Sequence, residues 1–185
     1  MIEASGILVF THDIQVGHRL YLQPGKCQQI HGHSMEVSLR LQVHFNDDGY
    51  AVNDEGMDLE FGAVKKIFRE YLDDFYDHHL LLNEKDPWAR EVLIGNDILS
   101  EYRQTLPGLR KVPGDPSTEN IAKWIAQWCA EELRCMTIVE VQETKTNAVV
   151  RTAVPSPRRA NPTAKFHDAA GNPAEAEARW VHDGS

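Results

Sequence analysis

The chain has 185 residues, 42% of them hydrophobic, and a formal net charge of −9. That is about one domain, or one domain with a tail, and enough apolar sequence to bury a core. The acidic balance speaks against a nucleic-acid footprint, which needs a basic stripe to neutralise phosphates, and against an anionic membrane surface. A small anionic substrate stays open, because one local cationic pocket or a metal suffices for it.

Met1 to Phe10 carries Glu3 and no basic n-region, so no signal peptide is expected. No apolar run approaches the roughly 20 residues that span a bilayer. Cys27, Cys129 and Cys135 make no disulfide framework, and a reducing cytoplasm fits them. Gly6 to Ile14, rich in β-formers, predicts a strand. Ser34 to Phe45 predicts a second, half-buried one, with Met35, Val37, Leu39, Leu41 and Val43 alternating against Glu36, Ser38, Arg40 and Gln42. Asn46 to Gly49 is a turn. Leu59 to Leu72 predicts a helix with Phe61, Val64, Ile67, Phe68 and Leu72 on one stripe.

Asn83 to Gly114 is less regular, with a short helix opening near Pro87 and turns at Pro107-Gly108 and Pro113 to Pro116. Ser117 or Thr118 then caps a helix whose apolar stripe is Ile121, Trp124, Ile125, Trp128 and Leu133. The Trp124 and Trp128 pair reads as core or interface packing. Met136 to Glu143 and Ala148 to Val154 predict two more strands around a turn. The composition shifts at Pro155, and 155–185 reads as a mostly disordered tail. The pattern is an α+β domain over 1–154 in the order ββααββ.

Five of the nine histidines lie in or beside two tight groups. His31 and His33, two apart at the head of a strand, point to one face. If the first two strands form a hairpin, His18 comes near both. Three imidazoles with an open fourth position describe a catalytic zinc site; without a carboxylate cage, magnesium or calcium fits poorly. The spacing alone is equally compatible with two polar residues on an exposed strand face. Cys27 has three readings: a fourth ligand, a buried inert thiol, or a reactive thiolate in the polar loop Pro24 to Gln29, favoured by Lys26 and a nearby dication. Asp77-His78-His79 offers a carboxylate that can orient a histidine for proton transfer, or a solvated loop. Glu143, near the end of an apolar strand, can accept two parallel N–H bonds from a planar heterocycle, or be a surface glutamate.

Taken together, His18-Arg19-Leu20, Cys27-x-x-x-His31-Gly-His33-Ser34, Gly56-Met57, Asp77-His78, Pro116-Ser-Thr-Glu-Asn120 and Glu143-Thr144 resemble, in order over roughly residues 6 to 154, the 6-pyruvoyltetrahydropterin synthase / 6-carboxytetrahydropterin synthase family. The resemblance implies a tunnelling fold: a four-stranded antiparallel sheet with two helices on one face. Trimer barrels of it stack into a hexamer, with the active site between subunits. It implies His18, His31 and His33 as ligands of Zn2+, Cys27 as catalytic thiol, and Asp77 with His78 as its partners. It implies Glu143 as the pterin anchor, and Ser117 and Thr118 in the pterin pocket. Three residues between Cys27 and His31 resemble the bacterial carboxy-forming branch. The implied reaction converts 7,8-dihydroneopterin triphosphate to 6-carboxy-5,6,7,8-tetrahydropterin, acetaldehyde and triphosphate, on the way to queuosine. The alternatives are pyruvoyl formation, for tetrahydrobiopterin, and a non-catalytic pterin- or zinc-binding module. Four features depart from the family pattern: Glu60-Phe61 stands for Asp-Phe, Ile14 stands for an aromatic, and the 83–114 connection and the tail are both long.

Overall fold

The computed structural model describes residues 5–45, 60–89, 108–157, 166–167 and 173–174. The expected turn at Asn46 to Gly49 and the Gly56-Met57 pair lie outside them. Strand β1 (Ser5–His18) and strand β2 (His31–His44) form a long antiparallel hairpin, in register from Ser5 opposite His44 to His18 opposite His31. Both strands run further toward the connecting loop than their apolar alternation suggests. The extra residues are Gln15 to His18 and His31 to His33, so the histidines sit on the ladder itself. Strand β5 (Thr137–Thr144) pairs antiparallel with β2, and β6 (Asn147–Ala153) with β5.

The four-stranded antiparallel sheet is corrected here. On the other flank β3 (His79–Asn83) lies parallel to β1, and β4 (Leu109–Val112) parallel to β3. The sheet is thus six-stranded and mixed, in the order β4-β3-β1-β2-β5-β6. The added strands are short. The Leu80 to Leu82 run has no alternation to betray it, because Leu81 and Leu82 are both fully buried and a continuous apolar run does not announce a strand by its period. Residues 87–89 are helical, as the proline predicts; the continuation of that segment lies outside the described residues.

Helix α1 (Phe61–Phe75) and helix α2 (Thr118–Leu133) cover one face of the sheet. That face carries the even residues of β1 and the odd residues of β2 and β5. Ile14, Val16, Met35, Val37, Leu39, Leu41, Val139 and Val141 meet Val64, Phe68, Leu72, Ile121, Ile125 and Cys129 in one cluster. Ile14, in place of the family's aromatic, is completely buried opposite Met35. Trp128 stacks on Tyr71 of α1 with ring centroids 3.7 Å apart, so it packs the helices together. Glu60 caps α1 with both oxygens, accepting from the backbone N–H of Gly62 at 2.7 Å and of Ala63 at 2.5 Å. Its extra methylene is tolerated because Gly62 has no Cβ; one there would stand 2.8 Å from Oε1.

Residues 1–155 form one compact unit and 156–185 a second. In the second, β7 (Phe166–His167) pairs antiparallel with β8 (Pro173–Ala174). The rest of the segment expected to be disordered lies outside the described residues.

Leu39 is fully buried at the centre of β2, between β1 and β5. Leu39→Ala should lower unfolding stability by about 2–5 kcal/mol, the cost of a core leucine plus its cavity, measured by denaturant titration. A loss below about 1 kcal/mol, typical of surface sites, would contradict this core.

Candidate metal centre and active site

The face that buries the core ends in the histidines. Val16 and His18 continue the inward row of β1, and His33 and His31 continue that of β2, with Val16 opposite His33. Gly32, between the two ligand candidates, faces the other way, and a Cβ there would come within 3.0 Å of the Val16 carbonyl oxygen. Glycine therefore lets the two strands close at the point where the imidazoles converge.

The ring centroids of His18 and His31 are 4.5 Å apart, and each lies 5.1 Å from that of His33. One ring nitrogen from each falls within 4.8 Å of the others. Backbone carbonyls fix two of the tautomers. His18 Nδ1 bonds to the Pro116 oxygen at 2.7 Å, and His31 Nδ1 to the Gln29 oxygen at 2.8 Å. A carbonyl only accepts, so both Nδ1 atoms carry the proton, and both Nε2 atoms face each other at 3.1 Å. Two bare lone pairs at that distance repel unless a proton or a cation joins them. Ligands about 2.0–2.1 Å from a common tetrahedral ion stand about 3.3 Å apart, so the donor set fits zinc. Burial, the largest influence, holds the His18 pKa below its ordinary range; the Pro116 carbonyl opposes it, and His31 and His33 reinforce it. The neutral, ligating form is therefore favoured. A carbonyl on the far nitrogen of a ligand histidine is the usual means of orienting it.

Glu143 stands at the β-bulge that shifts the β5–β6 register between Gln142 and Thr144. Its Oε1 accepts from the Thr118 hydroxyl at 2.8 Å and lies 3.8 Å from His33 Nε2. Thr118 is in the first turn of α2, where the helix dipole favours a carboxylate. Beside this pair opens a cleft of about 400 Å³ lined by Thr118, Glu119, Glu143, Thr146 and Asn147. Ser117 is the N-cap of α2, its hydroxyl accepting from the Asn120 N–H at 3.4 Å.

Cys27 lies exposed in the short 3-10 turn Lys26–Gln28. It is outside the group of mutually close ligand atoms, which among the described residues comprises His18, His31 and His33. Asp77 and His78 form their own pair, Oδ2 to Nδ1 at 2.6 Å. Gln15 of β1 holds them: its N–H donates to Asp77 Oδ1 at 2.7 Å, and its carbonyl accepts from the His78 N–H at 2.8 Å. His78 adopts the left-handed conformation, φ 57°, a strained state that clusters at functional sites. Burial pushes the Asp77 carboxyl up, but the Gln15 N–H, the His78 ring and the His12 charge outweigh it and hold it below its usual value. The pair borders an open cleft of about 530 Å³ whose lining includes Gln15, Gly17, Gly32 and Ser34 and also reaches Val16 and His33. Gln15, Gly17, Gly32 and Ser34 alternate with the inward row and so face away from the imidazoles, while His33 borders the same cleft. The structure therefore gathers His18, His31, His33, Glu143 and Thr118 at one point and forms Asp77 and His78 into a separate pair held by the backbone of Gln15. The carbonyls of Pro116 and Gln29 and the backbone of Gln15 were invisible in the sequence, because a backbone group carries no residue-type signal.

A family model, 6-pyruvoyl tetrahydropterin synthase, matches residues 7–153. A 6-carboxy-5,6,7,8-tetrahydropterin synthase of Rickettsia typhi is 30% identical over 110 residues, covering 60% of this chain and 70% of that protein. A putative 6-carboxy-5,6,7,8-tetrahydropterin synthase of Pyrococcus horikoshii is 26% identical over 132 residues, covering 68% and 72%. Among solved structures, an uncharacterized protein from Wolinella succinogenes superposes with TM-score 0.63 at 18% identity, over 80% of this chain and 98% of that one. The 6-pyruvoyl tetrahydropterin synthase of Plasmodium falciparum gives 0.55 at 19%, over 81% and 98%. At those identities the two structures speak for the fold, while the model match spans most of the compact unit. The chain belongs to the 6-pyruvoyl tetrahydropterin synthase family and resembles its 6-carboxy-5,6,7,8-tetrahydropterin synthase branch.

Proposed function

We propose that this chain is a zinc-dependent 6-carboxy-5,6,7,8-tetrahydropterin synthase. It takes 7,8-dihydroneopterin triphosphate and water to 6-carboxy-5,6,7,8-tetrahydropterin, acetaldehyde and triphosphate, a step toward queuosine and related deazapurines. The observation that carries the reading is the convergence of three imidazole nitrogens beside the Thr118–Glu143 pair. The names of the curated relatives support the carboxy-forming branch.

Zinc held by His18, His31 and His33 supplies Lewis-acid polarisation of the side-chain oxygens of the substrate. The chain's own residues do the rest. Glu143, with one oxygen engaged by Thr118, accepts N–H bonds from the pterin ring and so hangs the substrate's side chain toward the imidazoles. Cys27, on the exposed turn before His31, takes a proton from a side-chain carbon. Asp77 holds the His78 ring through Nδ1, which leaves Nε2 to carry the complementary proton. Within one chain the Asp77–His78 pair opens on the far sheet face, so in this reading it serves the thiol of a neighbouring subunit. Strands β4 and β6 end the sheet on either side, and a ring of subunits removes such edges; a hexamer fits. No helix among the described residues is long and apolar enough to cross a membrane.

Incubation of the purified protein with 7,8-dihydroneopterin triphosphate, with products identified by mass, tests the reading. Acetaldehyde with the 6-carboxy product supports it. A 6-pyruvoyl product reassigns the chain to the sister activity, and unchanged substrate leaves a binding module.

His31→Ala and His33→Ala should each strip zinc, read as metal per chain; unchanged content in both would show the site misassigned. Cys27→Ala should keep its zinc and lose turnover on the order of 10²-fold or more, as for removal of a proton-transfer group; parallel loss of metal would make the thiol a ligand. Burial also sets a pH dependence in the metal-free protein. With the folded His18 pKa depressed, the unfolded chain binds more protons below about pH 6.5, the ordinary histidine value, so stability falls as pH drops through that value. His18→Asn should flatten that slope; denaturant midpoints between about pH 5 and 8 measure it. An unchanged slope would contradict a buried neutral His18.

A further inference from the structure

The loop between β1 and β2, which carries Cys27, is held from segments far along the chain. One hold is at its start: Arg19, almost completely buried, has its Nε 3.2 Å from Asp86 Oδ2 and its guanidinium 3.9 Å above the Trp88 ring. The other is Asp115, in the turn between β4 and α2. Its Oδ2 accepts from the Leu22 N–H at 2.7 Å, and its Oδ1 from Asn83 Nδ2 at 2.7 Å. Its backbone carbonyl accepts from the Ser117 N–H and from Asn120 Nδ2, each at 2.8 Å.

We infer that Asp115 is a positioning residue that sets the thiol loop and the metal-facing imidazole of His18 together. The inference rests on the reading of His18, His31 and His33 as metal ligands. The link to the metal runs through the next residue: the Pro116 carbonyl is the acceptor that fixes the His18 tautomer, and the proline ring restricts how that turn can move. The link to the thiol runs through Leu22. Around it the loop is closed by Leu20 N–H to the Cys27 carbonyl at 2.8 Å, Gln23 N–H to the Leu20 carbonyl at 3.2 Å, and Gln28 Nε2 to the Tyr21 carbonyl at 3.3 Å. A residue serving only its own turn would bond locally. Asp115 instead gives its two oxygens to partners 93 and 32 residues away.

The chemistry of the site also dictates the residue. Leu22 N–H and Asn83 Nδ2 both donate, so position 115 needs two acceptors, which a carboxylate has and a carboxamide lacks. Asp115→Asn therefore sets two amide groups against each other. The reciprocal exchange, Asp115→Asn with Asn83→Asp, repairs this. The amide oxygen at 115 takes the Leu22 N–H and its amide N–H donates to the carboxylate at 83. The second oxygen of that carboxylate accepts from the Lys85 N–H, as Asn83 Oδ1 does now at 2.9 Å. Size and net charge are unchanged.

The test compares Asp115→Ala, Asp115→Asn and the reciprocal pair in the full chain. Zinc affinity is measured by competition with a chromophoric chelator, and hydrogen exchange is followed in the peptide covering residues 19–29. Each single variant should weaken zinc binding about tenfold, the low end for outer-shell changes, and speed exchange in 19–29 while the centres of β2 and α2 stay protected. The reciprocal pair should return both readouts to within about threefold of wild type. Rescue separates positioning from a general structural role, since the pair restores two hydrogen bonds without the original residues. The inference is overturned if both single variants keep wild-type zinc affinity and exchange, or if the pair recovers neither. Should Asp115→Ala not fold, the two volume-conserving variants decide. A wild-type protein that takes up no zinc would defeat the metal reading, and exchange rates alone would then judge Asp115.

Discussion

The register of the β1–β2 hairpin is the constraint on which the centre depends. His18 stands opposite His31 and Val16 opposite His33 because the apolar rows of both strands must face the same helices. A slip of one residue would turn every inward side chain of one strand outward, and the core residues Ile14, Met35, Val37 and Leu39 would be lost together with the imidazole cluster. The imidazole cluster therefore inherits its precision from hydrophobic packing some residues away. The driving force is apolar burial, and the histidines are carried into place by the periodicity of the strands.

What packing cannot do is choose ring orientation, and here backbone carbonyls act. Pro116 and Gln29 each take one imidazole proton, which turns the opposite nitrogens toward each other. The arrangement is unfavourable for the rings alone and becomes favourable with a shared cation. The turn that presents Pro116 is itself tied down by Asp115, Asn120 and Ser117, so the start of α2, the thiol loop and the end of β3 share one hydrogen-bonded junction. The same helix start presents Thr118 to Glu143. One helix terminus thus orients both the His18 ring and the acid proposed to hold the pterin.

The far face of the sheet carries the other half of the proposed chemistry. Gln15 has its side chain on that face, where it accepts from the Ser34 hydroxyl at 2.6 Å, and its backbone grips Asp77 and His78.

By itself the sequence determined the inward row of β2 and most of both helix stripes, because alternation of Met35 to Val43 and the stripes of α1 and α2 report burial directly; Phe61, expected on the α1 stripe, is exposed at the first residue of the helix. It also placed His31 and His33 on one strand face and, if the first two strands formed a hairpin, His18 beside them; the structure forms that hairpin and brings the three ring nitrogens together. Only the tertiary structure decided the rest. Strand β3 is a short apolar run paired on both sides and β4 is four residues with Arg110 and Lys111 at its centre, so neither shows a period that marks a strand. The Glu60 cap works because Gly62 leaves space, a contact no propensity contains. The carbonyls of Pro116 and Gln29 and the two-acceptor demand on Asp115 arise from backbone groups and from segments up to 98 residues apart. Residue type encodes which face a side chain prefers; which donor it meets there is fixed only when the chain closes on itself.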